Sequence, residues 1–409
     1  MVAFARISAI AVIVMVLAMV LPGLFAKSTS VRVNTPILYY SPVLERFVMQ
    51  GNRGAVDEQD NILTLRQYMC SLPFLYRTAL VKWNQFPQTV GGVPVTPGEA
   101  SRQLQFVRIS PKDINVPSCG LHMLLESEPE GASLEMAADM FRLRDGIEFL
   151  RCETNSVDRE KTEQFTSAML QAGFTFPARA IGGEPDTRKP FDWGYFLVDD
   201  TNMLFHLRMV RGEPLCINTG KRFDQPVRSI FVKEDERREF YCAIVTQNDV
   251  FIVFCKNYEL IRLPLDGYNP DKDVVMLLTS PLNRVVQLRG EDFVQGTALD
   301  NHWKPVHRYV LHVDRTSKVE RDKLASLIFP FTLEANSPFT HFKPLNIKHF
   351  YAWPLWNVAG VLLCMGLYMA VYRIRFRKNP PNWELGLLAV TGLYGLIALI
   401  AVGRSGSDL

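Results

Sequence analysis

Three stretches of the chain carry no charge: residues 8–26, 352–372 and 385–403. A helix needs about 20 apolar residues to cross roughly 30 Å of hydrocarbon, so each stretch predicts a membrane helix. Between the first and second, the apolar positions change period several times. Thr64 with Gln67 three residues later is a capping-box pattern and opens a helix over 65–72; Pro73 permits a second over 74–83. Leu65, Tyr68, Leu72, Leu75, Tyr76 and Leu80 would form the buried face of this pair. Alternation at Leu104, Phe106 and Ile109, and the run 121–125, predict strands. The segments 141–144 and 147–151 flank Asp145-Gly146, a hairpin signal. A helix over 157–172 should bury Phe165, Ala168, Met169 and Ala172 and stop at Gly173.

From Gly194 onward the pattern predicts almost only strands: 195–198, 204–209, 240–246, 250–256, 274–278, 285–288, 293–299 and 306–313. Short strands at this spacing suggest a sandwich, a barrel or the blades of a propeller. The expected fold class is therefore a membrane-anchored α+β protein. Its extracytoplasmic domain is mainly β, propeller-like or sandwich with a few helices, flanked by one N-terminal and two C-terminal hydrophobic helices. The expected organisation is an anchor or signal segment at 1–27, an α+β region at 28–193, a β-rich region at 194–350 and a transmembrane hairpin at 351–409.

Charge sharpens the topology. The 409 residues have a net charge of +3, but the excess sits beside the apolar stretches, in Arg6, Lys27, Arg373, Arg375, Arg377, Lys378 and Arg404. The central region is slightly acidic, which excludes a basic nucleic-acid surface. Trp353 and Trp356 lead into the second stretch, and four cations between Arg373 and Lys378 follow it, with Trp383 opening the third. Aromatic belts and the positive-inside rule put residues 373–383 in the cytoplasm, and Phe350 and the C-terminal tail outside. The first stretch reads as an uncleaved anchor or a secretory signal, since a cut after Ala26 would put Leu24, not a small residue, three positions back. Either way residues 28–350 are expected to be extracytoplasmic.

Several motifs resemble one family. The runs 141–149 (Phe-Arg-Leu-Arg-Asp-Gly-Ile-Glu-Phe), Gly173-Phe-Thr-Phe-Pro177, Lys189-Pro-Phe-Asp192, 194–199 (Gly-Tyr-Phe-Leu-Val-Asp) and Leu204-Phe-His-Leu207 resemble a bacterial family known as domain of unknown function 4857. The resemblance implies an envelope protein, often encoded beside ABC-transporter-like components. It implies no established chemistry and no catalytic residue.

The residues themselves offer little chemistry. No phosphate-binding loop, His-Glu-x-x-His or Gly-x-Ser-x-Gly occurs. His302, His307 and His312 are spaced by five, which puts neighbours on opposite faces of a strand, so no metal or other cofactor is expected. His206 reads as a satisfied, partly buried imidazole. Asp266, Asn269, Asp271 and Asp273 match a calcium loop poorly. Cys242 and Cys255 form a candidate disulfide: if Asn248 and Asp249 are the central residues of a tight turn, the two cysteines face each other as a non-hydrogen-bonded pair. Gly386, Ala389, Gly392, Gly395, Ala398 and Ala401 place a small residue at every third position of the last helix, a candidate docking row for another membrane helix or for the protein's own helices. Together with what the resemblance implies, these features lead to the expectation of a non-enzymatic, membrane-anchored accessory subunit of an ABC-transporter-like complex in the bacterial inner membrane, its main domain in the periplasm, contacting the bilayer and a permease-like partner. A periplasmic ligand-binding receptor is the alternative, and an envelope hydrolase without a recognisable motif a weaker one.

Overall fold

The computed structural model describes residues 2–29, 35–51, 54–98, 104–117, 120–334, 345–349 and 353–403. Helix α1 (Val2–Ser28) precedes a four-stranded meander of β1 (Leu38–Ser41), β2 (Arg46–Gly51), β3 (Gly54–Asp57) and β4 (Ile62–Leu63). Helices α2 (Leu65–Ser71) and α3 (Arg77–Lys82), the hairpin β5 (Thr89–Val90) and β6 (Val93–Pro94), β7 (Gln105–Ile109) and the single turn α4 (Pro111–Ile114) follow. Next come a three-stranded sheet of β8 (Asp139–Leu143), β9 (Ile147–Arg151) and β10 (Ser156–Asp158), then α5 (Arg159–Gln171). Two four-stranded meanders succeed it: β11 (Ala180–Gly183), β12 (Tyr195–Val198), β13 (Met203–Val210), β14 (Glu213–Arg222); and β15 (Ser229–Val232), β16 (Phe240–Val245), β17 (Val250–Phe254), β18 (Leu260–Arg262). A five-stranded sheet orders β22 (Pro305–His312), β21 (Phe293–Leu299), β20 (Arg284–Arg289), β19 (Val274–Thr279) and the returning β7. The chain ends with α6 (Thr316–Ile328), the pair β23 (Phe331–Glu334) and β24 (Asn346–His349), α7 (Pro354–Phe376) and α8 (Asn382–Val402).

Two compact units result, 34–312 and 1–33 with 313–409. In the first, period-two alternation gives each inner sheet two apolar faces. Tyr195, Leu197, Phe205 and Leu207 close on Phe141 and Phe149 of the three-stranded sheet and on Phe165 and Met169 of α5. The opposite face, Phe196, Val198 and Leu204, meets Ile230, Val232, Cys242, Ile244 and Val253. Behind these, Ala243, Val245, Val250 and Ile252 pack on Val107, Val275, Leu277, Val286 and Leu288 of the five-stranded sheet. The first meander lies against that sheet at Gly296, where a Cβ would come within 2.7 Å of the Phe47 ring and 3.2 Å of Leu38. The unit is thus a succession of antiparallel sheets stacked face to face, mainly β as expected. Among the described residues they close neither a barrel nor a propeller.

Local signals hold in part. Thr64 and Gln67 form the capping box of α2, and Gly173 ends α5 at φ 87°. The 141–151 hairpin forms, but its loop is the three residues 144–146 rather than a two-residue Asp-Gly turn. The residues 121–125 form no strand: His122 makes an isolated bridge to Phe141, and Glu126, just beyond, one to Met209. In β7 the alternation is inverted: Gln105, Val107 and Ile109 are buried and Phe106 is exposed. Gln105 belongs inside because its amide donates to the Lys233 carbonyl at 3.2 Å. The expected boundary at 193 falls within one sheet, since β11 pairs with β12 across it.

The second unit is mainly helical, with the pair β23–β24. α1, α7 and α8 are each long and apolar enough to cross a membrane, and Phe4, Val12, Val16, Val20, Leu363, Leu367, Ile374 and Val390 lie exposed along them. Arg6 donates to Glu384 (3.0 Å), whose side chain is fully buried and also accepts from the Tyr368 hydroxyl at 2.7 Å. α8 is not straight. At Gly392 the backbone takes φ 47°, ψ −123°, far from helical. Beyond this break Leu396, Leu399, Ile400 and Gly403 line the same cavity as Arg6, Arg375 and Phe376. A straight helix would carry Gly403 about 28 Å along its axis from Glu384, so the second half doubles back toward the cationic end. This corrects the expected hairpin, in which residue 403 would emerge at the opposite end from Arg373–Lys378; Leu409 itself lies outside the described residues.

Candidate binding site

The residue run 189–199 builds a buried ionic cluster. Lys189 reaches Asp192 (2.6 Å) and Glu234, with side-chain exposures of 5%, 3% and 0%. Ser127 donates to Asp192 at 2.7 Å, the Gly194 amide does so at 2.9 Å, and the Trp193 amide donates to Glu234. One cation thus faces two carboxylates. Burial pushes the Glu234 carboxyl up to about 7 against the opposing pull of Lys189. A proton on Glu234 leaves the cluster neutral, which is the cheaper state away from water. The cluster ties the β11–β12 connection to the segment after β15.

Beside it, His206 is 1% exposed, stacked on Phe196 at 4.2 Å between ring centroids. One ring nitrogen, Nε2, faces the Trp193 carbonyl and so carries the proton; Nδ1 accepts from the Tyr258 hydroxyl at 2.8 Å. Burial lowers its pKa to about 4, so the ring is neutral. This is the satisfied imidazole expected from the sequence, more deeply buried than expected.

The cavity suited to a ligand lies on the outer face of the five-stranded sheet. Its volume is about 460 Å³, walled by Tyr39, Leu75, Phe106, Met276, Leu278 and Val285 and rimmed by Lys233 and Asp235. Period two along β19 and β20 brings these side chains to one face. Lys233 Nζ bonds Glu184 at 3.1 Å, whereas Asp235 Oδ2 is buried with no hydrogen-bond partner. Burial raises the Asp235 pKa, opposed by Lys233. An apolar wall with one cation and one under-satisfied carboxyl can bind an amphiphile.

The family model for a domain of unknown function (DUF4857) matches residues 37–299, well over half of the chain. The chain belongs to the DUF4857 family. No curated protein matches it. In this DUF4857 chain several motif residues make contacts within the fold. Besides Lys189 and Asp192, Gly194 sits at φ 70° where a Cβ would lie 2.3 Å from the Leu207 carbonyl, and Asp199 accepts from the amides of Thr175, Thr201 and Met203 (2.9–3.2 Å). Lys189 and Glu234 were not foreseen as partners; they are 45 residues apart and only the fold joins them.

The remaining candidates are dispersed. Among the described residues no group of three or more His, Cys, Asp or Glu could hold a metal; His307 bonds Glu58 at 2.8 Å. Asp266 pairs with Arg308 and Asp271 with Arg228, each at 2.7 Å, and Asp273 accepts from the Asn269 amide at 2.8 Å, so the carboxylates of the calcium-like loop are engaged separately. Cys242 lies opposite Val253, not Cys255, and both cysteines are free thiols. The turn spans four residues because the Thr246 amide donates to the Asp249 carbonyl (2.9 Å) and its hydroxyl accepts from the Asp249 amide (3.2 Å), which moves the register by two. Cys119 lies outside the described residues. Within the small-residue row, Gly392, Gly395 and Ala398 are buried in the chain's own helical unit, whereas Gly386, Ala389 and Ala401 are exposed. Trp353, Trp356 and Trp383 lie at the N-terminal ends of α7 and α8, and Arg373 and Arg375 in the last turn of α7, with Arg377 and Lys378 just beyond.

Proposed function

We propose that this chain is a non-enzymatic accessory subunit of a bacterial inner-membrane complex, its β-rich unit in the periplasm and its helices docked on a transporter-like membrane partner. The carrying observation is the construction of the helical unit. Tethering requires one apolar helix, whereas this unit buries the Arg6–Glu384–Tyr368 cluster and breaks a helix at Gly392. Ionisable groups inside a membrane bundle are costly and go with a specific role. Three small residues of α8, Gly386, Ala389 and Ala401, remain uncovered, as a helix–helix contact surface requires. The repeated four-stranded meanders, stacked face to face, also support reading the periplasmic unit as propeller-like.

The test is purification of the full chain in mild detergent with quantitation of co-purifying membrane proteins. A stoichiometric partner retained by the wild type and lost on Gly386→Leu supports the role; equal recovery from both proteins sinks it. The cavity edged by Asp235 favours a second reading, a receptor for an amphiphilic ligand, and Asp235→Leu should abolish ligand binding there if that reading holds.

A further inference from the structure

The cavity at the cationic end of the helical unit is a different feature from the one on the sheet. Its volume is about 380 Å³, and it opens between α1, α7 and the returning half of α8. Leu367, Val371, Phe376, Leu396, Leu399 and Ile400 make its wall hydrocarbon. Arg6, Arg375, Tyr368 and Tyr372 give it polar groups. α1, α7 and α8 together contain a single carboxylate, Glu384, which is already bonded by Arg6 and Tyr368. Among the described residues, two guanidiniums against one carboxylate make the cavity net positive, and Arg377 and Lys378 add to that field from the turn beyond α7. Arg375 makes no ion pair among the described residues; its guanidinium lies 5.5 Å from the Phe376 ring centroid.

A cavity that joins an apolar slot to a positive rim, at the end of membrane helices, matches a molecule with an acyl chain and an anionic head. We propose that it binds one anionic phospholipid of the leaflet at the cationic end, the acyl chain lying against Leu396, Leu399 and Ile400 and the phosphate meeting Arg375. The returning half of α8 makes the slot: were α8 straight, these three side chains would lie about 15 Å or more from the level of Arg375. The proposal rests on the membrane anchorage stated above and not on the partner role.

The experiment is native mass spectrometry of the full chain extracted from membranes and exchanged into a zwitterionic detergent. It is offered phosphatidylglycerol or phosphatidylcholine of identical chains, with inorganic phosphate as competitor. One phosphatidylglycerol should be retained at least about tenfold better than phosphatidylcholine, and millimolar phosphate should not displace it. Arg375→Gln should remove that preference. Ile400→Trp, a substitution at an exposed position that fills the slot while keeping every charge, should lower retention of both lipids. Equal retention of the two lipids by the wild type, or a preference unchanged in both variants, overturns the proposal; displacement by phosphate alone reduces the site to a free-anion site and overturns it too. Recovery of the protein from the membrane fraction tests anchorage separately, so a failed lipid preference leaves that reading untouched.

Discussion

Glu234→Gln separates the charge of the buried cluster from its shape. The folded carboxyl titrates near 7 and the unfolded one near 4.5, so the folded state binds more protons between those values. Its contribution to stability is therefore fully present below about pH 4.5 and is lost as pH rises through 7. Between pH 5 and 8 that loss amounts to about 2.5 kcal/mol at about 1.4 kcal/mol per pH unit. The carboxamide of the variant cannot titrate. It places an amide nitrogen against either Lys189 or the Trp193 amide, a lost hydrogen bond worth about 1–3 kcal/mol. The variant should thus be clearly weaker than wild type at pH 5 and nearly equal to it at pH 8. Thermal unfolding of the full chain in detergent, followed by near-ultraviolet circular dichroism, reads this as a gap in Tm that narrows by about 5–10 °C over the range, at about 2–4 °C per kcal/mol. Histidines that titrate over the same interval are common to both proteins and cancel in the difference. A gap that stays constant from pH 5 to 8 would refute the argument that the cluster holds an excess buried carboxyl.

Lys189→Met leaves Asp192 and Glu234 buried without their cation and should cost about 3–5 kcal/mol, part of it recovered in the double variant with Glu234→Gln when chemical unfolding is measured. Gly395→Leu should disrupt the helical unit, since even a Cβ there would lie 2.1 Å from Thr391 Oγ1; limited proteolysis of the membrane-embedded chain would then cut in α8 while the β-rich unit stays resistant. A reporter active only in the cytoplasm, fused after Leu409, should give a strong signal if the returning half of α8 ends beside Arg373–Lys378, and a silent fusion with an active fusion after Lys378 would argue for a straight span. Non-reducing peptide mapping should recover Cys242 and Cys255 alkylated as free thiols after denaturation, and a peptide linking the two would show that the native strands pair in another register.

What the sequence disclosed was what neighbouring residues decide. The capping box at Thr64, the stop at Gly173 and the apolar strands from Tyr195 onward all follow from interactions within a few positions, and they appear where expected. What it concealed depended on side chains choosing among local options. Asn248-Asp249 looks like a two-residue turn, but the Thr246 hydroxyl closes a four-residue one instead. Gln105 breaks the apolar alternation of β7 yet is buried, because the Lys233 carbonyl waits for it across 128 residues. Gly392 belongs to an apparently uniform row of small residues, and only its φ of 47° distinguishes a breaking glycine from a packing one.

The doubling-back of α8 has a physical requirement that the rest of the helical unit meets. Each half has about ten residues and rises about 15 Å, half the hydrocarbon thickness, so the bend at Gly392 lies near mid-depth. Non-helical backbone at that depth is tolerated only where protein covers it and supplies its hydrogen bonds. Pro330 provides the cover, 3.3 Å from where a Gly392 Cβ would be. The segment that carries Pro330 is itself irregular, and its carbonyls are served by side chains: Asn357 donates to those of Ser326, Phe329 and Pro330 at 3.2–3.3 Å, and the Tyr394 hydroxyl donates to that of Phe331 at 2.7 Å. Close approach is possible because Gly360 has no Cβ; one there would stand 1.8 Å from the Leu327 carbonyl oxygen. Gly360, Gly392 and Gly395 are thus bound to the chain's own packing, which leaves Gly386 and Ala389 as the positions where a substitution can report on a partner without first unfolding the unit.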